Sequence, residues 1–171
     1  MIVIFCGLPG VGKTTVAEKL APLIDAVILS SDKIRKELIP QPTYERYERE
    51  LIYHVMMLLA KYLHRAGKNC ILDATFNKEE FRNQVKKKTH CNNDQFFIVE
   101  CFCPDDIAIS RIKHRKGGYS DANVTTYLRM KKIYEPVKSE HLRIDTLKDA
   151  NINAKIIEKK IKKDLSSKYP S

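Results

Sequence analysis

No apolar run in this 171-residue chain approaches the ~20 residues that a membrane-spanning helix needs, and no membrane partner is expected. No internal repeat, low-complexity tract or long linker divides it, so one domain is expected over 1–166, with 167–171 frayed. Cysteine is sparse and unpatterned: Cys6, Cys70, Cys91, Cys101 and Cys103 are odd in number and form no C-x-x-C pair. That argues for buried reduced thiols over a metal site or disulfides, and hence for a cytoplasmic location. Acid is missing from one stretch in particular. Between Arg111 and Lys132, seven Lys/Arg stand against the single acid Asp121, in a chain of net charge +10. Such a patch suits a polyanion or a highly charged small ligand, although a solvated basic face is also open. Nothing in the sequence fixes the oligomeric state.

Gly7-Leu8-Pro9-Gly10-Val11-Gly12-Lys13-Thr14-Thr15 is the most informative segment present, and it fits G-x-x-x-x-G-K-[ST]. It follows the apolar run Met1–Cys6, so removing that run as a leader would destroy the strand that carries the loop. The glycines let backbone N–H groups turn inward at φ values a Cβ would forbid. Lys13 would reach the β- and γ-phosphates, and the Thr14 hydroxyl would ligate Mg²⁺. A helix from Thr14 to about Asp25 would aim its positive end at the nucleotide. The chain lacks the glycine of D-x-x-G after Asp73 and has no [NT]-K-x-D motif, which favours ATP over GTP.

Short apolar strands alternate with helices along the chain. Strands are expected at 1–6, 26–29, 69–73, 96–102 and, weakly, 141–145. Helices are expected to about Leu38, from about Thr43 to Arg65, at 78–88, from Pro104 to Gly117, from a Ser120 cap to Pro136, and at 148–165. The pattern predicts an α/β fold with a five-stranded parallel sheet between two helical layers. Ligands of such sheets collect at the carboxyl ends of the strands, which here carry the glycine loop, Asp32 and Asp73.

Phosphoryl transfer to an alcohol needs a group that accepts the hydroxyl proton. Asp32 suits that role, with Arg35 three residues on to grip an anionic part of the acceptor. A plain N-cap for Asp32 and a surface ion pair for Arg35 fit the same residues. Asp73 suits magnesium ordering, or capping of the turn before Asn77. Arg111 and Arg115, four apart, would face one side of a helix end, with Gly117-Gly118 as the hinge of a closing lid. An arginine there would neutralise charge on the transferred group, or merely complement the helix dipole. Tyr44, Tyr47 and Tyr119 could stack on bases, or pack as partly buried helix and loop tyrosines.

The glycine loop, Ser30-Ser31-Asp32 with Arg35, Asp73-Ala74-Thr75-Phe76, Arg111 and Arg115, Ser120-Asp121-Ala122 and Glu135-Pro136 together resemble a group of P-loop kinases. It comprises polynucleotide 5′-hydroxyl kinases, zeta toxins, the seryl-tRNA kinases of selenocysteine synthesis and related AAA-type kinases. The resemblance implies sheet order 2-3-1-4-5, a small helical lid over about 111–122, and ATP with Mg²⁺. It makes Lys13, Asp32 and Arg115 catalytic, with Asp32 the general base. It puts Arg111 over adenine, Arg35, Asp73 and Thr75 at the substrate, and Thr14 and Asp73 at the metal. Phe76 departs from the Asn of several polynucleotide kinases. The expected activity is phosphorylation of a hydroxyl on a nucleic acid 5′ end or nucleotide. Alternatives are a small-metabolite or nucleotide-sugar kinase, or a regulatory ATPase without an acceptor.

Overall fold

The computed structural model describes residues 1–168. Among them are five strands: β1 (Ile2–Cys6), β2 (Ala26–Ser30), β3 (Asn69–Asp73), β4 (Phe96–Phe102) and β5 (Leu142–Asp145). The helices are α1 (Lys13–Leu20), α2 (Ser31–Leu38), α3 (Arg46–Arg65), α4 (Glu79–Thr89), α5 (Asp105–Lys113), α6 (Val124–Ile133) and α7 (Ala150–Lys168). The sheet is parallel throughout in the order β2-β3-β1-β4-β5, with helices on both faces.

β1 is the centre of the sheet, and each of its residues is fully buried. Ile2, Ile4 and Cys6 share a core with Ile52 and Met56 of α3 and Val85 of α4. Val3 and Phe5 point the other way, into a core with Val16 and Leu20 of α1 and Ile157 of α7. Covering both faces is what makes the strand apolar at every position, and each large side chain contributes roughly 1.5–3 kcal/mol. All five thiols are free and four are buried. Burial pushes Cys6 and Cys70 up to about 11, so both are protonated at neutral pH.

Several boundaries differ from the sequence expectation for local reasons. α1 stops at Leu20 instead of reaching Asp25, because Pro22 tightens the chain into a single 3₁₀ turn at Ala21–Leu23. α3 starts at Arg46, since Tyr44 adopts a left-handed backbone with φ of 59°. α5 ends at Lys113, and residues 114–123 cross towards α6 without regular structure. Asn123, not Ser120, caps α6: its Oδ1 accepts from the Thr126 N–H at 2.8 Å and the Thr126 hydroxyl at 3.1 Å. α7 begins at Ala150 behind Asp149, which accepts from the N–H groups of Asn151 (2.9 Å) and Ile152 (3.2 Å). It continues through Lys168, into the stretch expected to fray; residues 169–171 lie outside the described ones.

Candidate active site

The glycine loop is wedged between the end of β4 and α5. Gly7, Gly10 and Gly12 have φ of 135°, 77° and 93°. A Cβ on Gly7 would stand 2.3 Å from the Cys101 carbonyl oxygen, and one on Gly10 2.7 Å from that of Ala108. Gly12 is the N-cap of α1 and leaves the helix without a side-chain cap, so its first N–H groups open onto the loop. Lys13 Nζ donates to the carbonyls of Gly7 and Leu8, each at 2.9 Å, which holds the ammonium over the loop mouth. The Gly7 N–H donates to the Thr75 carbonyl at 3.2 Å, tying the loop to the end of β3. Pro9, Gly10, Gly12, Lys13, Thr14 and Thr15 line a cleft of about 840 Å³. Val11 is instead buried in the core, and Leu8 packs against the same cluster.

Asp73, the last residue of β3, is 4% exposed and accepts the Thr14 hydroxyl at 2.5 Å. Burial pushes its carboxyl above the usual range, against the opposing pull of the Lys13 charge and the Thr14 hydrogen bond. A hydroxyl and an under-compensated buried carboxylate at the phosphate loop form an oxygen donor set that fits a hard divalent cation such as Mg²⁺. Asp32 lies in the first turn of α2, and the capping is done by Ser30, whose Oγ accepts from the Lys33 N–H at 3.5 Å. The Asp32 carboxylate is therefore left to the cleft, where Arg35 Nη1 donates to it at 3.0 Å.

Arg35 does not pair with Glu37, which contacts Lys33 at 3.9 Å. Its side chain is 7% exposed and lies between two carboxylates, Asp32 and the buried Glu48. Arg35 Nε stands 2.8 Å from Glu48 Oε1, a charge contact not aligned as a hydrogen bond. The other Glu48 oxygen accepts from Thr43 N (2.6 Å), Thr43 Oγ1 (2.9 Å) and Tyr44 N (3.2 Å). Burial raises the Glu48 carboxyl, but these donors and Arg35 outweigh it and hold it below its ordinary value. The Arg35 guanidinium also lies 4.9 Å from the centre of the Tyr44 ring.

The segment between α5 and α6, expected as a small helical lid but without a helix over 114–123, meets this cluster. Asp121 accepts from Lys36 Nζ at 2.7 Å and from the Tyr44 hydroxyl, and these two donors, Lys36 foremost, depress its carboxyl. Lys33 Nζ stands 5.8 Å from the Tyr119 ring centre, and Arg115 Nη1 donates to the Ser120 carbonyl at 2.9 Å. Arg111 docks at the far end of the phosphate loop: its Nη2 donates to the Thr146 carbonyl (2.9 Å) and its Nη1 to Thr146 Oγ1 (3.2 Å). Thr146 Oγ1 in turn donates to the Val11 carbonyl, which joins the loop after β5 to the glycine loop. Tyr44 and Tyr119 line the cleft, while Tyr47 is 77% exposed outside it.

The loop after β3 rests on a buttress. Phe76 has φ of 41°; its N–H donates to the Tyr53 hydroxyl (3.2 Å) and its carbonyl accepts from the fully buried Arg82 (2.7 Å). Arg82 also binds the carbonyls of Glu135 (2.9 Å) and Pro136 (3.0 Å) and pairs with Glu79 at 2.7 Å. The Glu135-Pro136 motif thus supports the loop after β3 from outside the cleft. Lys13, Thr14, Asp32, Arg35, Asp73 and Thr75, from the carboxyl ends of β1, β2 and β3, converge on one cleft. Glu48, Thr146, Arg82, Arg49 and Asn77 are cleft or support residues that the sequence reading missed. Only Glu48 had a local signal, an acid in the first turn of a helix.

A Pyrococcus abyssi protein named probable adenylyl-sulfate kinase is 27% identical over 148 residues, covering 82% of each chain. A Mycobacterium tuberculosis protein without assigned function is 27% identical over 128 residues, and the match spans only 26% of its length. Solved structures with the same fold include the Mycobacterium tuberculosis APS kinase CysC in complex with AMPPNP and APS. It has a TM-score of 0.72 at 18% identity and covers 95% of this chain and 96% of that one. Chaetomium thermophilum Kti12 in complex with ADP-AlF3 reaches 0.75 at 15% identity, covering 96% and 99%. A gluconokinase from Sinorhizobium meliloti reaches 0.73 at 14%, covering 98% and 94%. The family model described as an AAA domain matches residues 2–137, from β1 through the Glu135-Pro136 motif, and the chain belongs to that family of P-loop proteins.

Proposed function

We propose that the protein is an ATP-dependent phosphotransferase that moves the γ-phosphoryl group to a hydroxyl of a small anionic acceptor. One observation carries this reading: Asp32, relieved of capping by Ser30 and oriented by Arg35, faces the cleft that the phosphate loop also lines. A carboxylate so placed accepts the acceptor's hydroxyl proton while the oxygen bonds to the γ-phosphorus and the bond to the bridging oxygen breaks, releasing ADP. The glycine loop and Lys13 hold the phosphates, and Arg111 closes the nucleotide end. Thr14 and Asp73 would hold Mg²⁺, which supplies charge neutralisation at the β- and γ-oxygens. Arg115 sits on the lid wall, one hydrogen bond from release, and would face the transferred group. Free, protonated thiols suit a reducing cytoplasm.

The segment between α5 and α6 supports a small acceptor. Lys36 and Tyr44 hold Asp121, and Lys33 faces Tyr119, so the segment after Gly118 bridges to α2 and walls the acceptor side. A walled cleft suits a metabolite or a nucleotide, in keeping with the names of the adenylyl-sulfate kinase and gluconokinase relatives. A nucleic acid 5′ end, favoured from the basic run at 111–132, draws its support from Arg129, which lines the cleft. Elsewhere that run is partly engaged, since Lys131 pairs with Asp105 and Arg111 with Thr146.

The test is to incubate the protein with γ-labelled ATP and pooled cell extract and separate polymers from small molecules. Label in the small-molecule fraction, with little dependence on salt, is expected. Label on polymer, weakened steeply by salt through counterion release, would establish the nucleic acid reading instead. ATP consumption without any labelled acceptor would identify a regulatory ATPase.

A further inference from the structure

We infer that Arg49, and not Arg35, binds the anionic group of the acceptor, with Asn77 of the same cleft lining reading a hydroxyl. The acceptor is then a small hydroxylated anion, an alcohol that also bears a phosphate, sulfate or carboxylate. The inference rests on the phosphotransferase reading of the same cleft and extends it.

The charge of Arg35 is already met by two carboxylates. Its guanidinium is 7% exposed, lies between Asp32 at 3.0 Å and Glu48 at 2.8 Å, and is covered by the Tyr44 ring. Two carboxylates against one guanidinium leave this cluster with a net negative charge, which repels an incoming anion. Arg35 is thereby a positioning residue for Asp32. Arg49 is its opposite. It lines the same cleft from α3, half-buried, and its guanidinium makes no ion pair or hydrogen bond among the described residues. A planar fork of donors, partly withdrawn from water and unpaired, is matched by an oxyanion.

Arg49 stands one helical turn before Tyr53, another residue of the cleft wall. The Tyr53 hydroxyl accepts from the Phe76 N–H at 3.2 Å, and the next residue is Asn77. Asn77 is 1% exposed, belongs to the cleft lining, and neither its amide nitrogen nor its amide oxygen has a partner. A buried amide with both functions unmet is costly unless a ligand or water completes it. A hydroxyl, which donates and accepts, can satisfy either atom. Arg129, a second cleft cation without an ion pair or hydrogen bond among the described residues, is exposed on α6.

The experiment uses the full chain saturated with Mg²⁺ and AMPPNP, so that the phosphate loop is occupied, and inorganic sulfate as the probe. The Nε–H resonance of Arg49, assigned by its loss in Arg49→Gln, is followed by NMR during titration. A shift that saturates below about 20 mM, the millimolar class of a single charged contact, is expected. Drift without saturation, or saturation at the Arg35 resonance instead, would overturn the assignment. With any acceptor found by label transfer, Arg49→Gln should raise its KM roughly tenfold or more while kcat changes little, and Arg49→Lys should recover part of the loss. A fall in kcat at constant KM would contradict a binding role. Sulfate saturation at Arg49 without phosphoryl transfer would uphold this site and remove the kinase reading. Transfer to a neutral alcohol, uncompeted by sulfate, would do the reverse.

Discussion

Replacing Glu48 with alanine removes the acid that holds Arg35, and through it Asp32, in place. The cost follows from burial. The two side chains are 7% and 8% exposed and 2.8 Å apart, and breaking such a pair costs about 3–5 kcal/mol because a buried charge is left behind. Asp32 remains as a second partner for Arg35 at 3.0 Å, which places the expected loss at the lower end, about 3 kcal/mol. In a domain of this size that lowers the melting midpoint by roughly 6–12 °C. Urea unfolding should show a reduced midpoint at unchanged m. The sign with pH is also fixed. Because the folded-state carboxyl lies below its ordinary value, its contribution is complete above the unfolded value of about 4.3 and is lost as pH falls through the folded one. The gap between parent and Glu48→Ala should therefore narrow as pH is taken from 7 towards 3. A loss under about 1 kcal/mol at pH 7, or a gap that does not narrow, would refute the reasoning.

Gly7→Ala should destabilise by about 3 kcal/mol or more and abolish nucleotide binding, since its Cβ meets the Cys101 carbonyl at 2.3 Å. Gly117→Ala, with nothing within 4 Å and only a φ of 78° to strain, should cost about 1 kcal/mol in the same denaturant assay. Asp73→Asn should raise the melting midpoint at neutral pH while reducing Mg²⁺-dependent transfer by ~10²-fold or more. Because the folded-state carboxyl of Asp73 is raised, its stabilising effect fades as pH rises from the unfolded to the folded value, and Asn should remove that slope from the stability profile.

The sheet was legible because its central strands β1 and β3 are buried on both faces, so their hydrophobicity is local and continuous. The glycine loop was legible because its geometry admits few residue types, and Thr14 and Asp73 meet as the strand ends require. Asp32 and Arg35 were correctly expected on one helix face, where spacing alone suffices. What stayed hidden was tertiary. Glu48 reaches Arg35 across two helices, Thr146 reaches the glycine loop from the opposite end of the chain, and Arg82 gathers carbonyls from two separate segments. Helix ends went astray where side chains compete for the backbone: Asn123 displaced Ser120 as a cap, and Pro22 shortened α1. No periodicity or spacing rule marks Arg49 or Asn77, because each is notable only for the partner it lacks in the folded chain.

The most direct test of the central claim compares the parent and Asp32→Asn for transfer from γ-labelled ATP to the acceptor fraction, with ATP affinity measured alongside. ATP binding within a few-fold of the parent and transfer lowered by ~10²-fold or more are expected of a lost general base. Equal transfer by the two proteins would contradict it.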